Sequence, residues 1–273
     1  MKALIDGDIL LYRVGFGAEN EDETVAVHRM DELISSILDS VKATSYQVYL
    51  SDGREKTFRY ELNNNYKAQR KADKPIHYQM LKDYLITNYS AVVAVNEEAD
   101  DLMGIEQSQN KDTIICSIDK DLLQIPGQHY NFVKNVFTTI DEDEGRLFFY
   151  LQLLMGDKAD NIPGITGIGI AKATKILEDY LGEDEIFLIE LVQKEYRNWL
   201  SDFWADQYTD EWTQVQEDHM NNMILLNGQM LKIRTKVGEV WQIPSLGQKA
   251  EEKVLSQVSL EEDTEDGLLS MNA

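Results

Sequence analysis

The sequence predicts an α/β protein with a mainly parallel sheet flanked by helices, followed by a helical part. Four short runs of apolar and β-branched residues have the length of strands, and segments with helical spacing separate them. Strands that alternate with helices are joined by right-handed crossovers and pair in parallel. The predicted strands are Lys2–Ile5, Tyr46–Ser51, Ala91–Val95 and Thr113–Ile118.

Helices are predicted in both parts of the chain from apolar residues at intervals of three and four. In the first part they cover Met30–Val41 and Tyr78–Tyr89. The second part begins near Gly145, with helices predicted over Leu147–Met155 and Ile170–Tyr180.

The last third of the chain is predicted to be helical over 185–226 and then to form a hairpin. Met230–Ile243 alternates between apolar and polar residues around Gly238, which is typical of two short strands. The stretch 250–273 carries seven acidic residues against one lysine, a pattern that indicates a solvated, disordered tail.

The formal net charge of −23 argues at first against a nucleic-acid partner, because phosphate contacts need Lys and Arg. Residues 54–74 reverse the balance with seven basic against three acidic residues, so the local charge favours such a partner. No apolar run approaches the ~20 residues of a membrane span, and the first residues do not fit a secretory signal. The single cysteine, Cys116, indicates a reducing cytoplasm.

Acidic residues follow every predicted strand directly. The carboxyl ends of parallel strands meet at one edge of a sheet, so we expect these carboxylates to lie together. Clustered carboxylates repel one another unless cations neutralise them, and a set without His or Cys suits Mg²⁺ or Mn²⁺ better than Zn²⁺. Taken singly, an acid could instead complement a helix dipole. With two later acids, the predicted metal ligands are Asp6, Asp52, Glu98, Asp100, Asp101, Asp119, Asp121, Asp157 and Asp160.

A glycine-rich turn between two predicted helices is a second candidate site. Gly164, Gly167 and Gly169 can expose backbone N–H groups at a helix N-terminus, where a phosphate or an ion can dock. Lys172 and Lys175 lie just beyond and suit contacts to a nucleic-acid backbone. A simple interhelical turn would be the alternative explanation.

A basic segment, Asn65–Lys71, is the third candidate. On a helix, Lys67, Arg70 and Lys71 would occupy one face and point towards an anionic ligand. A solvated basic face would explain the same pattern without a ligand.

Six short motifs occur in order over roughly residues 1–180. They are Ile5-Asp6-Gly7-Asp8, Ser51-Asp52, Tyr66-Lys67-x-x-Arg70, Glu98-Ala99-Asp100-Asp101, Ser117-Ile118-Asp119-Lys120-Asp121 and Gly156-Asp157 through Gly169. In these motifs the chain resembles the flap endonuclease and 5′–3′ exonuclease superfamily, especially the compact phage-type replicative 5′–3′ exonucleases. His219–Pro244 also looks similar to the C-terminal part of the phage members.

The resemblance implies a PIN-like α/β nuclease core over residues 1–144, with a helical arch at about 54–90 above the active site. It implies a helical DNA-binding part over 145–249. There, a helix–three-turn–helix element at about 147–180 would grip duplex DNA through a monovalent cation such as K⁺. The remaining residues, 250–273, form the acidic tail.

The resemblance also implies roles for the individual residues. Six acids would surround the metals, and three more would complete the set partly through water. The six are Asp6, Asp52, Glu98, Asp100, Asp119 and Asp121, and the three are Asp101, Asp157 and Asp160. Our hypothesis for the mechanism is two Mg²⁺ ions about 4 Å apart, with Asp6 and Asp119 central to catalysis. Lys67 and Arg70 would contact the scissile phosphate, and Tyr66 and Lys71 would contact DNA beside them. Asp8 falls where many relatives have a neutral polar residue, and it is not assigned to the metal set.

The implied activity is cleavage of DNA near a 5′ end, as a 5′–3′ exonuclease and flap endonuclease, in phage replication, primer removal or DNA degradation. The implied partner is duplex DNA with a 5′ end or flap, and an RNA–DNA hybrid is a further candidate partner. We further expect no membrane association, a monomer, and a place in the cytoplasm of a bacterial host.

Two other enzyme classes fit parts of the pattern. A haloacid-dehalogenase-like phosphatase would use Asp6-Gly7-Asp8 as its nucleophile motif, but Gly156 follows a helical run where that class requires a strand. A PIN-type ribonuclease would share the acids without needing the glycine-rich turn. A non-catalytic DNA-binding protein is disfavoured, since a pure binder would benefit from losing the negative charge.

Overall fold

A six-stranded sheet forms the first part of the protein. The computed structural model describes residues 1–70, 73–204 and 212–245, and the predictions for Lys71 and for the tail 250–273 lie outside them. Neighbouring strands pair in parallel except the last two. In spatial order the strands are β3 (Val92–Val93), β2 (Ser45–Leu50), β1 (Lys2–Asp6), β4 (Thr113–Cys116), β5 (Gly127–Asn131) and β6 (Val136–Ile140).

The four predicted strands are β1 to β4, and their parallel pairing is confirmed. β3 is shorter than predicted because the chain leaves the sheet after Ala94, and Val95 is 84% exposed. β5 and β6 were not predicted from the sequence. β5 carries polar residues such as Gln128 and His129, and four of the five residues of β6 are exposed, so neither strand shows a clear burial pattern.

Helices cover both faces of this sheet. Ala3 and Ile5 of β1 pack in one hydrophobic cluster with α1, α2 and α4, while Leu4 packs on the opposite face with α5. The helix predicted at Tyr78–Tyr89 has those bounds, and the one predicted from Met30 begins earlier, after the N-cap Asp22. The helices of this part are α1 (Gly7–Gly17), α2 (Glu23–Val41), α3 (Phe58–Leu62), α4 (Tyr78–Tyr89) and α5 (Ala99–Gln109).

The second part is helical and has a core of its own. Its largest fully buried side chains include Tyr150, Phe149 and Tyr196. A two-stranded ribbon of β7 (Gly156–Asp157) and β8 (Ile162–Pro163) separates its first two helices. In the described ranges, no helix combines the length and the apolar composition needed to cross a membrane. The helices are α6 (Glu142–Met155), α7 (Ile170–Leu177), α8 (Glu185–Trp204) and α9 (Gln214–Leu231).

The predicted hairpin at Met230–Ile243 is wrong. α9 continues through Gly228 to Leu231, and residues 232–243 contain no strand. The Trp241 ring packs so closely on Gly228 that a Cβ there would lie 2.2 Å from it. The apolar alternation therefore records which side chains an irregular segment buries against α9 and the sheet, and it does not record strand pairing.

The predicted helix across Lys67 and Arg70 is also wrong. Residues 64–69 form turns between α3 and α4, and Lys67 has a left-handed backbone with φ of 54°. The Lys67 amide donates to the Asp160 carbonyl at 2.9 Å, which ties the turn to the chain after β7. The segment predicted as a helical arch thus reaches the second part of the protein through turns.

Candidate active site

A cavity of about 720 Å³ opens at the carboxyl ends of β1, β2 and β4. Six basic side chains, from Arg54 to Lys74, are among the residues that line it. Nine carboxylates line it as well, and seven of them belong to the predicted metal set. The nine are Asp6, Asp8, Glu55, Glu98, Asp100, Asp119, Asp121, Asp157 and Asp160.

Hydrogen bonds fix the acids that follow β1 and β4. Asp6 ends β1 and caps α1, since its Oδ1 accepts from the Ile9 amide at 3.1 Å. Its Oδ2 accepts from Ser117 Oγ at 2.5 Å, and that hydroxyl oxygen in turn accepts from the Asp119 amide at 3.0 Å. The two strand ends therefore hold Asp6 and Asp119 in a fixed relation.

Asp6, Asp8, Asp100 and Asp119 form what we call the acidic floor. None of the ion pairs recorded among the described residues involves them. Burial, and next the neighbouring Asp8, raise the pKa of Asp6 to about 7. Burial followed by repulsion from Asp6 and Asp119 raises the pKa of Asp100 well above its usual range. The floor is thus a set of carboxylates, Asp6 buried and the other three partly exposed, with which no cation of the described residues forms an ion pair.

A second acidic group lies where the sheet meets the helical part. Lys120 Nζ donates to Asp121 Oδ1 at 2.9 Å and to Asp157 Oδ2 at 3.1 Å. Burial and repulsion from Asp119 raise the pKa of Asp121 to about 6, although Lys120 opposes the rise. Burial alone would raise the pKa of Asp157 too, but Lys120 lowers it.

Tyr66, Lys67, Arg70, Glu98 and Asp160 form what we call the ion-pair cluster. Tyr66 Oη donates to Glu98 at 2.7 Å and to Asp160 at 3.1 Å. Lys67 pairs with Glu98, and Arg70 pairs with Asp160. Burial alone would raise the pKa of Glu98, but Lys67 and Arg59 lower it to about 2. Glu98 is therefore ionised, and protein cations pair with both Glu98 and Asp160.

The donor set fits a hard divalent cation, since it offers only oxygen ligands. The raised pKa values of the acidic floor indicate where added positive charge would stabilise the protein most. Across the part of the chain that the structure describes, no three Asp, Glu, His or Cys side chains converge to hold a single ion. Instead, Lys67 and Lys120 each lie between two carboxylates.

The structure does not bring Asp101 into the cavity, which corrects the prediction that it helps to bind metal. Its side chain is fully buried, and both oxygens accept from the Arg59 guanidinium, at 2.5 and 2.8 Å. Arg59 also donates to the carbonyls of Met230 and Lys232. Asp101 therefore joins α3, α5 and the segment after α9, and this role leaves it no oxygen facing the cavity.

The structure places Asp8, and not Asp52, in the lining of the cavity. Asp52 does not line the cavity; its side chain is 40% exposed and pairs with Lys56 at 2.6 Å. Asp8 lines the cavity and accepts from the Ser51 amide at 3.1 Å, and burial raises its pKa. The sequence feature that indicates a cavity-lining role for Asp8 is its position in the first turn of α1, one residue beyond Gly7.

The glycine-rich turn is present between α6 and α7, but Gly164 serves packing. A Cβ on Gly164 would lie 2.1 Å from the Met155 carbonyl carbon, because the turn lies directly on the end of α6. Gly164 therefore permits the close approach of two backbone segments.

The rest of the turn faces solvent. Gly167 has φ of +83° and open space around it, and Gly169 caps the N-terminus of α7. Lys172 and Lys175 are exposed on α7, while Ala173 is buried against the core of the helical part. These four residues present a polar surface of the kind that was predicted for contacts to a nucleic-acid backbone.

Some residues of the cavity were missed at the sequence level. Tyr12 lines the mouth with its ring centroid 5.4 Å from that of Tyr78, and Lys74 lies over the Tyr78 ring. Arg59 was counted only as part of a basic segment. Because isolated Tyr and Arg residues have no distinctive spacing, only the folded structure reveals them.

Comparisons of sequence identify the family. The family model described as 5′-3′ exonuclease, N-terminal resolvase-like domain, matches residues 1–148. A 5′-3′ exonuclease of Buchnera aphidicola subsp. Schizaphis graminum is 30% identical over 207 residues, which cover 67% of this chain and 72% of the relative. Flap endonuclease Xni of Pseudoalteromonas translucida is 30% identical over 173 residues, covering 56% and 65%.

The fold agrees with these matches. The 5′-exonuclease of bacteriophage T5, solved with divalent metal ions (zinc) bound, superposes with a TM-score of 0.61 at 18% identity, covering 86% of this chain and 90% of the other. The phosphatase alternative fails, because Gly156 directly follows α6 and the mainly parallel sheet is that of the exonucleases. The chain belongs to the 5′–3′ exonuclease family of nucleases.

Proposed function

We propose that the protein hydrolyses DNA phosphodiester bonds near 5′ ends in a Mg²⁺-dependent reaction, as a 5′–3′ exonuclease and flap endonuclease. The observation that carries the proposal is the acidic floor facing Lys67 and Arg70 in one cavity. Bare carboxylates repel a phosphodiester, whereas carboxylates that hold divalent cations attract it.

Two groups of acids are suited to hold two ions. Asp6, Asp100 and Asp119, whose side chains do not converge on one point in this structure, would draw together around the first ion, and Asp121 with Asp157 would hold the second beside Asp119. Mg²⁺ held by these acids, or Mn²⁺ in its place, would supply a nucleophile at neutral pH and would stabilise the leaving oxygen. The zinc-bound T5 exonuclease supports a divalent site in this fold.

The cations of the ion-pair cluster would bind and orient the substrate. Lys67 and Arg70 project from one turn, which the Lys67 amide anchors to the Asp160 carbonyl. Once metal ions neutralise the cavity, both cations can donate to phosphate oxygens where negative charge builds up. Tyr66 fixes this turn by donating to Glu98 and Asp160.

The proposal also covers DNA binding by the helical part of the protein and the cellular role. Lys172 and Lys175, with the turn at Gly167 and Gly169 and a K⁺ ion there, would grip duplex DNA by its backbone, so binding should weaken with salt. We propose that the protein acts as a monomer in the cytoplasm of a bacterial host during phage replication, primer removal or DNA degradation. RNA–DNA hybrids are a further substrate to test.

A duplex with a 5′ single-stranded flap, labelled separately at each end, tests the proposal. Products should leave from the 5′ side with Mg²⁺, disappear with EDTA, and be absent with Asp119→Ala protein. Asp112→Ala is the matched control, because Asp112 lies before β4, opposite Asp119, and its side chain is 86% exposed. Folded wild-type protein that cleaves neither DNA nor RNA with Mg²⁺ or Mn²⁺ contradicts the proposal.

A further inference from the structure

Lys120 bridges two carboxylates that come from different parts of the protein. Its Nζ lies 2.9 Å from Asp121, in the turn after β4, and 3.1 Å from Asp157, in β7. The one ammonium therefore links the sheet to the helical part at the edge of the cavity.

The bridge is asymmetric, because the carboxylates are held firmly and the lysine is not. Asp157 Oδ1 accepts from the Ala159 amide at 2.6 Å, and Asp121 Oδ1 accepts from Gln152 Nε2 at 2.8 Å. The two acid side chains are 8% and 23% exposed, whereas that of Lys120 is 59% exposed. An exposed ammonium can leave at low cost, while buried carboxylates still need a cation.

Lys67 shows the contrasting arrangement. Its side chain is 15% exposed, packs over the Tyr66 ring with Nζ 4.9 Å from the centroid, and pairs with Glu98. Moving Lys67 would break a buried pair, whereas moving Lys120 exposes only an already hydrated head group.

We propose that Lys120 is an internal counter-ion that competes with a divalent cation for Asp121 and Asp157 and is displaced when the ion binds. This inference rests on the proposed function, since it assumes that the second acid group holds a metal. It assigns Lys120 as a positioning residue that keeps the two acids together before loading and lowers the apparent metal affinity of this group. Loading would then free an ammonium at the cavity edge.

Calorimetric titration of the full-length, metal-free protein with Mg²⁺ tests the inference without measuring activity. Lys120→Met should tighten the weaker binding event about three- to tenfold, the range expected for releasing two exposed ion pairs. Lys120→Arg, which retains the positive charge, should change it little. Without metal, Lys120→Met should also melt at a lower temperature than wild type and gain more from Mg²⁺.

Two controls separate competition from a general charge effect. Lys56→Met removes an equally exposed cation that pairs with Asp52, and it should tighten binding less than twofold. In protein that already carries Asp157→Asn, adding Lys120→Met should no longer increase the affinity for Mg²⁺. An unchanged or weaker affinity in Lys120→Met, or an equal gain in Lys56→Met, overturns the inference. Wild-type protein that binds no divalent ion overturns instead the metal site of the proposed function.

Discussion

Two acids that line the same cavity, Glu98 and Asp6, have pKa values shifted in opposite directions. Glu98 of the ion-pair cluster has its pKa at about 2 although burial alone would raise it, because Lys67 and Arg59 lie against it. Asp6 of the acidic floor has its pKa raised to about 7, first by burial and then by Asp8. Both side chains are buried, so the partners decide the outcome. Glu98 in the ion-pair cluster is held in its charged form by neighbouring cations, whereas the acidic floor has no cation paired with it.

This difference assigns separate tasks to neighbouring residues. A carboxylate that protein cations already neutralise gains little from a metal ion, whereas an uncompensated one is stabilised strongly. Glu98 also caps α5, so its charge supports both the helix and the Lys67 turn. Substitutions in the two groups should therefore change stability in opposite directions.

The largest effect is expected from Asp100→Asn on the acidic floor. The isosteric amide cannot ionise beside Asp6 and Asp119, so the metal-free protein should melt higher, by about 2–4 °C for each kcal/mol gained. Cleavage should fall by more than ~100-fold, since even outer-shell changes at metal sites cost up to that much. Flap cleavage kinetics and a melting curve in EDTA measure both effects. A lower melting temperature would contradict the view that the floor is uncompensated.

Glu98→Gln in the ion-pair cluster should act in the opposite direction on stability. Removing one partner of a buried pair leaves Lys67 and Arg59 without their shared anion, which costs about 3 kcal/mol. Melting in EDTA should fall on the order of 10 °C. Tyr66→Phe, which keeps the charges and removes one hydrogen bond to Glu98, is the control and should cost about 1 kcal/mol. A Glu98→Gln protein as stable as wild type would show that the pairing of Glu98 with Lys67 and Arg59 does not stabilise the fold.

The pH dependence should be an intermediate effect, and its sign follows from the raised pKa values. Asp6 and Asp121 bind protons more tightly when folded, so their contribution is complete below about pH 4. It is lost as the pH rises through about 6 for Asp121 and about 7 for Asp6. Glu98, whose pKa is lowered to about 2, loses its stabilising contribution only in strong acid. Metal-free protein should therefore lose a few kcal/mol between pH 5 and 8, and Mg²⁺ should restore it.

Urea unfolding at pH 5, 6, 7 and 8, in EDTA and in Mg²⁺, measures this dependence. His129 contributes the opposite slope below about pH 6.5, because burial lowers its pKa. Comparing the wild-type profile with that of Asp6→Asn cancels the His129 contribution, because both proteins contain His129. The amide of the variant can still cap α1. A variant profile as steep as that of wild type would show that Asp6 is not the titrating group.

The sequence was informative where one strand end determines the position of a side chain. Asp6 and Asp119 follow β1 and β4 directly, and parallel pairing of these strands brings the two acids together without further information. The same logic predicted that the metal set lies at one edge of the sheet. The predicted mainly parallel sheet flanked by helices is confirmed for this reason.

The sequence did not predict the roles of side chains whose partners lie far away along the chain. Arg59 binds Asp101 from 42 residues away and Met230 from 171 residues away, so local spacing could not show that Asp101 is used as an internal partner. The segment after α9 alternates in polarity because it buries Ile233 and Trp241, and this looks like a strand until the neighbouring elements are in place. The turn at Lys67 likewise depends on a backbone bond to Asp160.

The smallest effect is expected from Asp52→Asn, and this variant tests the boundary of the acidic floor. Asp52 follows β2 as Asp6 follows β1, but its side chain is 40% exposed and its charge is balanced by Lys56. The substitution should change flap cleavage less than about twofold and stability by less than about 0.5 kcal/mol, as at other surface sites. Asp8→Asn, at the position facing the cavity, should instead impair cleavage and raise the melting temperature in EDTA, because burial raises the pKa of Asp8. If Asp52→Asn loses cleavage as Asp100→Asn does, metal binding must draw Asp52 inward, and the floor then includes all the strand ends that the sequence indicated.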